Sequence, residues 1–202
     1  MQSRQEHIAL FSDYEDPTVN ITTVVTCADF VAKAKAHNVP PFAALLFAIA
    51  EASLAVENFR WRLDGGEAVE VTHLKTGHTV LDKNNNLNFS AIEHTNDFDI
   101  FVRRYIKDRE IVHAATSLRL SEREDRDHLY VTCTPWLFFT AFEHPVARFG
   151  DASIPNIAVG QFKFEDGMVR FPLAVQAHHG LVDGLHIHQL IETITDGVGA
   201  LF

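Results

Sequence analysis

The sequence predicts one α+β domain built around a mixed β-sheet. Segments in which apolar and polar residues alternate, as in strands, occur together with segments in which apolar residues recur every three to four positions, as in helices. The 202 residues, 47% of them hydrophobic and 16 of them phenylalanine, suffice for a substantial core. No internal repeat and no linker-like composition divides the chain, so we expect a single domain over residues 1–202.

The first part of the chain predicts an arm, a strand and two helices. Segment 4–11 shows no clear pattern and is predicted to be an arm. Residues 20–26 alternate as a strand, and the Thr26-x-x-Asp29 spacing resembles a capping box that opens a short helix. The proline pair at 40–41 ends that helix and begins a second one. The second helix has its apolar face at Phe42, Leu45, Leu46, Ile49 and Leu54.

The rest of the chain predicts further strands and two more helices. Residues 59–71 alternate around an Asp-Gly-Gly turn and are predicted to form a hairpin, and segment 83–88 is an asparagine-rich loop. Helical spacing predicts an amphipathic helix over 97–115, and the charged segment 122–127 predicts a solvated connection. The other predicted strands are 79–81, 129–134, 137–142, 155–164 and the segment that begins at 169.

Charge and composition argue against several kinds of protein. The formal net charge is −10 and there is no basic block, so we expect no nucleic-acid partner. No apolar run approaches the roughly 18 residues of a membrane span, and the N-terminus lacks a signal-peptide core, so we expect a cytoplasmic protein with no membrane partner. Cys27 and Cys133 have no metal-ligand or redox spacing and are predicted to be small buried hydrophobes.

The most informative stretch is 168–194, which predicts a strand, a histidine pair, a tight turn and an amphipathic helix. The alternation places His179 on the buried face of the strand and His178 on the opposite face. A partly buried histidine suits general-base work, because its ordinary pKa is near 6.5 and burial favours the neutral form. Asp183 could orient the ring or hold the turn through a salt bridge. The spacing alone does not decide this, and a core histidine beside an ordinary turn stays open as well.

Five stretches together resemble a known family. They are Arg4-Gln5-Glu6-His7, Phe59-Arg60 with the Asp64-Gly65-Gly66 turn, Pro135-Trp136, Phe139-Thr140-Ala141-Phe142, and segment 172–184 with its His-x-x-x-Asp-Gly motif. In this order they resemble the chloramphenicol acetyltransferase family over nearly the whole chain. The resemblance implies a two-layer sandwich, with a mixed sheet and helices on one face, in a homotrimer with active sites at the subunit interfaces. It also implies acetyl-CoA as cosubstrate, no metal, and acetylation of a hydroxyl of chloramphenicol, which confers antibiotic resistance.

The same resemblance implies roles for four residues. His179 matches the general base that removes the proton from the acceptor hydroxyl. Asp183 matches a carboxylate that holds the active-site turn by pairing with an N-terminal arginine, here Arg4. Thr132 aligns with a family serine whose hydroxyl donates to the oxyanion of the tetrahedral intermediate. Such a donor is needed because attack on the thioester puts negative charge on the carbonyl oxygen.

Other positions are expected to contact the coenzyme or the acceptor. Trp136 aligns with an aromatic of the coenzyme A channel. Ala158 stands where many members have a threonine, Phe162 replaces a tyrosine near the coenzyme, His144 replaces an aliphatic pocket residue, and Pro17 aligns with a frequent cysteine. These departures leave the identity of the acceptor molecule open. The candidates for the acceptor wall are Phe11, Tyr130, His144 and the loop around Asn88.

Four alternatives to this function stay open. A covalent acetyl-cysteine route is disfavoured, because Cys133 follows Thr132 on a strand and should face away from it. Metal chemistry is disfavoured, because His178 and His179 diverge and His186 and His188 lie two apart on a helix. The protein could also act on another hydroxylated small molecule, or bind ligands as a non-catalytic trimer.

Overall fold

The computed structural model describes residues 4–119, 126–146 and 153–202. They form a seven-stranded mixed sheet, a separate two-stranded hairpin and five α-helices. The strands are β1 (Thr18–Ala28), β2 (Trp61–Asp64), β3 (Glu67–Glu70), β4 (Lys75–Leu81), β5 (Leu87–Glu93), β6 (His128–Cys133), β7 (Asn156–Val159), β8 (Lys163–Glu165) and β9 (Met168–His178). The helices are α1 (Gln5–Ser12), α2 (Phe30–Ala36), α3 (Pro41–Ala55), α4 (Phe98–Ala114) and α5 (Gly184–Gly199), and a 3₁₀ turn spans Glu57–Arg60.

Strand β9 organises the sheet around the histidine pair. The strand order is β1-β9-β7-β6-β4-β5, and β8 pairs with the first residues of β9. Strands β4, β6 and β7 run parallel to one another, and the other pairs are antiparallel. Since β1 pairs with β9 along its whole length, the end of β9 lies beside the residues that precede β1. The backbone N–H of His179 accordingly donates to the carbonyl of Pro17 at 2.8 Å.

The two faces of the sheet differ in chemistry. Helices α3, α4 and α5 cover one face, where Val131, Ile157 and Val175 occupy paired positions and are fully buried. Side chains alternate along a strand, so the residues between them point to the other face. At paired positions that face carries Tyr130, Thr132, Asn156, Ala158, Ala174 and Gln176. The sheet therefore presents polar and small side chains on the side opposite the helices.

Most predicted elements are confirmed, with shifted boundaries. The predicted strand at 20–26, the hairpin at 59–71, the helices that begin near 41 and 97, and the strand–turn–helix of 168–194 are all present. Helix α3 begins at Pro41, whose missing N–H suits a first helical turn, and it packs against α2, α4 and α5. The predicted two-layer arrangement with helices on one face is also confirmed.

Several local predictions were wrong, mostly where tertiary contacts decide the conformation. The predicted arm is helix α1, and α2 is capped by the Asp29 carboxylate rather than opened at Thr26, which still belongs to β1. Segment 137–142 is not a strand; its Leu137 carbonyl accepts from the N–H of Gln161. The single strand predicted at 155–164 is divided into β7 and β8. Of the predicted connection, residues 122–125 lie outside the described residues.

Within the described ranges, no single helix is long and apolar enough to cross a membrane. Taken together, helices α2 and α3 have the length and apolar composition of a membrane span, but the chain bends by 117° between them.

Candidate active site

Arg4 ties helix α1 to the turn that follows β9. Its Nε–H donates to the carbonyl of Gly180 at 2.9 Å and its Nη2 donates to the carbonyl of His179 at 3.0 Å. Its Nη1 forms an ion pair with Oδ2 of Asp183 at 3.0 Å. The Arg4 side chain is only 12% exposed, so these contacts are more than a surface ion pair. One guanidinium therefore fixes two carbonyls and the carboxylate of the turn.

Gly180 lets α1 approach the turn closely. A Cβ at this position would lie 2.8 Å from the Cα of Ile8 in α1 and 2.9 Å from the ring of His178. Real Cβ atoms do not come so close to backbone, so only glycine fits here. Ile8 is the buried residue of α1. The close contact between Ile8 and Gly180 explains why a segment with no clear pattern folds as a helix.

Asp183 caps helix α5 while it pairs with Arg4. Its Oδ1 accepts from the N–H of Leu185 at 3.0 Å, and its own N–H donates to Nδ1 of His186 at 3.1 Å, which completes a capping box. Burial would raise the pKa of the Asp183 carboxyl, but the Arg4 hydrogen bond, the nearby His186 and the Leu185 N–H outweigh it and hold that pKa below its ordinary value. Desolvation lowers the pKa of His186, which suits a ring nitrogen that accepts. Asp183 thus stays ionised and holds the turn.

His179 is held in one orientation with one ring nitrogen left for chemistry. Its Nδ1 lies 3.1 Å from the carbonyl oxygen of Val182. A carbonyl can only accept, so Nδ1 carries a proton, and in this tautomer of the imidazole Nε2 carries the lone pair. The ring of Phe11 stacks on the imidazole, with centroids 4.2 Å apart and planes 22° apart. Among the residues that the structure describes, Nε2 has no hydrogen-bond partner, and a partly buried imidazole of this kind can act as a general base.

His178 has a structural task. Its side chain is 3% exposed, and its Nδ1 accepts from the N–H of Gly180 at 3.1 Å. Desolvation, and secondly the neighbouring His179, lower the pKa of His178 and keep the ring neutral. The two histidines have different contacts, as predicted, but the prediction that His179 lies on the buried face of the strand was wrong. Strand β9 ends at His178, which is buried, and His179 follows it in the turn and is only partly buried. His178 stabilises the turn that presents His179.

A second group of predicted residues lies on the face of the sheet opposite the helices. The hydroxyl of Thr132 is 3.2 Å from Nε2 of His144. Gln176 holds the backbone of His144: its Oε1 accepts from the His144 N–H at 2.8 Å, and its Nε2 lies 3.4 Å from the His144 carbonyl and 3.2 Å from Oγ1 of Thr18. Ala158 is paired with Thr132 and is fully buried.

The two groups are far apart within one chain. Thr132 is paired with Ala158, and Ala158 with Ala174, which places Thr132 two strands, about 10 Å, away from β9. His179 follows five residues after Ala174, about 17 Å further along β9. The direct separation is therefore about 20 Å, far beyond the contact that one reacting group requires. His179 and Thr132 of the same chain do not form one site.

The remaining candidates have diverse surroundings. Trp136 is 61% exposed, next to the equally exposed Leu137. Phe162 is partly buried and packs edge-on against Phe30 and Phe171 in the hydrophobic core. Tyr130 is partly buried and packs over Gly77, where an added Cβ would lie 3.1 Å from its ring.

Asn88 differs from its prediction. It lies in β5 rather than in a loop, and it is 2% exposed. Its Nδ2 donates to the carbonyl of Ser117 at 3.0 Å, and its Oδ1 accepts from the N–H of Arg119 at 2.9 Å. The amide of Asn88 therefore joins the segment after α4 to the sheet edge.

Sequence reasoning missed three features of the two groups. It did not identify Gln176 as the side chain that holds His144, the bond between His144 and Thr132, or the cap formed by His186. Only the last had a usable sequence signal, because His186 stands three residues after Asp183, the spacing of a capping box. The other two join residues that are distant in sequence.

Cysteine and metal chemistry find little support in the described part of the chain. Burial raises the pKa of Cys133 to about 11 and that of Cys27 to about 11, with Asp29 a second cause for Cys27. Among the residues with described positions, no three His, Cys, Asp or Glu side chains are grouped as metal ligands. The absence of a metal requirement stays a prediction.

Comparisons with known proteins agree with the fold and the motif. A model of the chloramphenicol acetyltransferase family matches residues 1–195. The chain is 25% identical over 194 residues to a chloramphenicol acetyltransferase of Escherichia coli, which covers 95% of this chain and 87% of that protein. It is 26% identical over 154 residues to chloramphenicol acetyltransferase 3 of Escherichia coli, and the matched region covers 75% of this chain and 72% of that protein.

Solved structures share the fold. A chloramphenicol acetyltransferase structure superimposes with a TM-score of 0.82 at 24% identity and covers 96% of this chain and 94% of its own. A dihydrolipoamide acetyltransferase of Azotobacter vinelandii superimposes with a TM-score of 0.68 at 13% identity, over 99% and 87%. With a family match over nearly its whole length, this chain belongs to the chloramphenicol acetyltransferase family and is an acyltransferase.

Proposed function

We propose that this protein transfers the acetyl group of acetyl-CoA to a hydroxyl of chloramphenicol in a ternary complex. The observation that carries the proposal is the orientation of the His179 ring. Its Nδ1 bond to the Val182 carbonyl and its stack on Phe11 leave Nε2 as a basic nitrogen in a fixed direction. A general base needs a nitrogen lone pair that is directed at the acceptor hydroxyl before it can take the proton.

The reaction then needs two proton transfers, the formation of a carbon–oxygen bond and the cleavage of the carbon–sulfur bond. Nε2 of His179 takes the acceptor proton as the acceptor oxygen attacks the thioester carbonyl. The negative charge that develops on the carbonyl oxygen is stabilised by the hydroxyl of Thr132. When the carbon–sulfur bond breaks, the sulfur of coenzyme A takes the proton from His179, which returns the base to its neutral state.

We further propose a homotrimer in which each site combines His179 of one subunit with Thr132 of its neighbour. The separation of about 20 Å between these residues within one chain supports this assembly. The polar face of the sheet that carries Thr132 is then available to meet the turn of another copy. In this arrangement Phe11 and Tyr130 belong to the acceptor wall from opposite subunits, and the exposed Trp136 is a contact for coenzyme A.

A second acceptor class is favoured by one observation. His144, where the family resemblance predicts an aliphatic residue, places an imidazole beside the Thr132 hydroxyl. A polar group there suits a hydroxylated small molecule that is more polar than chloramphenicol.

The test is coenzyme A release, detected with a thiol reagent, from acetyl-CoA with and without chloramphenicol. We expect release that depends on chloramphenicol and that falls by about 10²- to 10⁴-fold in His179→Ala. Release with other hydroxylated compounds but not with chloramphenicol would replace the acceptor and keep the chemistry. Tight coenzyme binding without release for any acceptor would contradict the enzymatic function and favour a binding protein.

A further inference from the structure

The hydroxyl of Thr132 has a hydrogen-bond partner within its own chain. Its oxygen lies 3.2 Å from Nε2 of His144. A threonine hydroxyl has one proton and two lone pairs, so this bond has two possible directions. If Thr132 donates to His144, its only proton is consumed and it has nothing to offer an oxyanion. If His144 donates, the proton of Thr132 remains available.

His144 is held firmly enough to define this bond. The side chain of Gln176, 3% exposed, holds the backbone of His144, and Gln176 is itself joined to Thr18 of β1. The His144 ring also packs against Phe142, with centroids 4.9 Å apart. Desolvation lowers the pKa of His144, so the ring is neutral at pH 7 and has a single N–H.

The position of that single proton follows from the other ring nitrogen. Nδ1 of His144 is shielded from solvent and has no hydrogen-bond partner among the described residues. With the proton on Nδ1, a buried N–H would lack an acceptor, and Thr132 would also lose its proton to Nε2. With the proton on Nε2, only a lone pair is left without a partner, a less unusual state for a buried group than an orphaned N–H.

We propose that His144 is a positioning residue that donates from Nε2 to Oγ1 of Thr132 and so directs the threonine proton toward the oxyanion. A hydrogen bond received at the oxygen also polarises the O–H bond and strengthens it as a donor. This role rests on the proposed acetyl transfer and goes beyond it. It assigns His144 a part in the stabilisation of charge in the reaction, beyond any contact that it makes with the acceptor.

The first test is independent of turnover. Long-range ¹H–¹⁵N spectra of protein labelled at histidine nitrogens report which nitrogen carries the proton, and the signals of His144 are those that disappear in His144→Gln. We expect the proton on Nε2, with an Nε2 shift that changes in Thr132→Ala. A proton on Nδ1 overturns the proposal, whatever the protein acetylates.

The second test is a double-mutant cycle on coenzyme A release. With Thr132 present, we expect His144→Leu to lower kcat by about tenfold with little change in the KM for the acceptor, and His144→Gln, whose amide can donate, to recover most of it. In a Thr132→Ala background the same His144→Leu change should cost less than about twofold.

An equal loss in both backgrounds, or a change confined to the acceptor KM, overturns the proposal and returns His144 to the acceptor wall. If the wild type releases no coenzyme A with any acceptor, the proposed function is wrong, and the position of the His144 proton still decides the hydrogen bond.

Discussion

The guanidinium of Arg4 and the carboxylate of Asp183 lie 3.0 Å apart, although nearly the whole chain separates them in sequence. The same guanidinium holds the carbonyls of His179 and Gly180, and the same carboxylate caps α5. The pair therefore connects the first helix, the turn with the proposed base and the last helix. Its loss should affect both stability and turnover.

Asp183→Asn should lower both the melting temperature and kcat. The asparagine NH₂ would face either the Arg4 guanidinium or the Leu185 N–H, which places two donors in contact, and the charge that pairs with Arg4 would be gone. Because the pKa of Asp183 is lowered in the folded protein, its contribution is present above its unfolded pKa and is lost only as pH falls through the folded pKa. The difference in melting temperature from wild type should thus persist from pH 8 to pH 5.

The control for this prediction is Glu70→Gln. Glu70 accepts from Nε of Arg60 at 2.7 Å and has a similar exposure, but it is part of the β2–β3 hairpin. Equal effects of the two substitutions on turnover would show that the Arg4–Asp183 pair has no special place in the site.

Gly180→Ala should displace α1. The new Cβ would meet the backbone of Ile8 at 2.8 Å, so the helix must move and Arg4 must lose contacts. We expect a melting temperature lower by about 5 °C or more and a kcat at least about tenfold lower. Gly199→Ala, at a helical position with no atom within 4 Å of the added Cβ, should lower neither quantity. Full activity of Gly180→Ala would contradict the close approach of α1.

Sequence reasoning predicted the fold and part of the candidate site for identifiable reasons. The alternation along β9 and the Asp-Gly turn are local patterns, so the strand, His179 and α5 could be found from the chain alone. Helix α1 could not, because its docking depends on the contact between Ile8 and Gly180. The pairing of His144 with Thr132 could not either, since Gln176 arranges it from another strand. Arg4 gained a role only through the family resemblance.

His78 should make the protein sensitive to acid. It is 2% exposed, stacks on Tyr105, and neither ring nitrogen has a hydrogen-bond partner in the described ranges. Burial lowers its pKa to about 4, an effect that Asp108 opposes and Arg109 adds to. The unfolded chain binds a proton near pH 6.5, so this stability is present above that pH and is lost as pH falls toward 4.

His78→Phe should remove this part of the acid sensitivity. The unfolded chain is protonated at this position at pH 5 and the folded protein is not, so the free energy of unfolding is lower at pH 5 than at pH 8 by on the order of 2 kcal/mol. Between pH 8 and pH 5, the melting temperature of the wild type should therefore fall by about 4–8 °C more than that of the variant. Identical falls for both proteins would contradict a neutral buried His78.

Iodoacetamide should leave turnover intact. Burial raises the pKa of Cys133 to about 11, so at pH 8 only about 0.1% of the thiol is the reactive thiolate. Coenzyme A release should stay within error of the untreated enzyme after a treatment that alkylates free glutathione completely. An acetyl-cysteine route would be supported instead if iodoacetamide abolished turnover of the wild type without abolishing coenzyme binding, and if the Cys133→Ala variant showed no such loss of turnover on treatment.

The central claim is that one site takes His179 and Thr132 from two different chains, and subunit mixing tests it most directly. His179→Ala and Thr132→Ala chains are unfolded, mixed in equal amounts, refolded together and assayed for coenzyme A release with chloramphenicol. Random trimers should contain complete sites at about one quarter of the wild-type number, because each site then needs one intact residue from each of two neighbours.

Wild type mixed with the double variant serves as the control for exchange. It should also retain about one quarter of the sites, whereas one half would remain if each site were built within one chain. Activity near one quarter of wild type in the first mixture would support the shared site. A mixture no more active than the separate variants would contradict it.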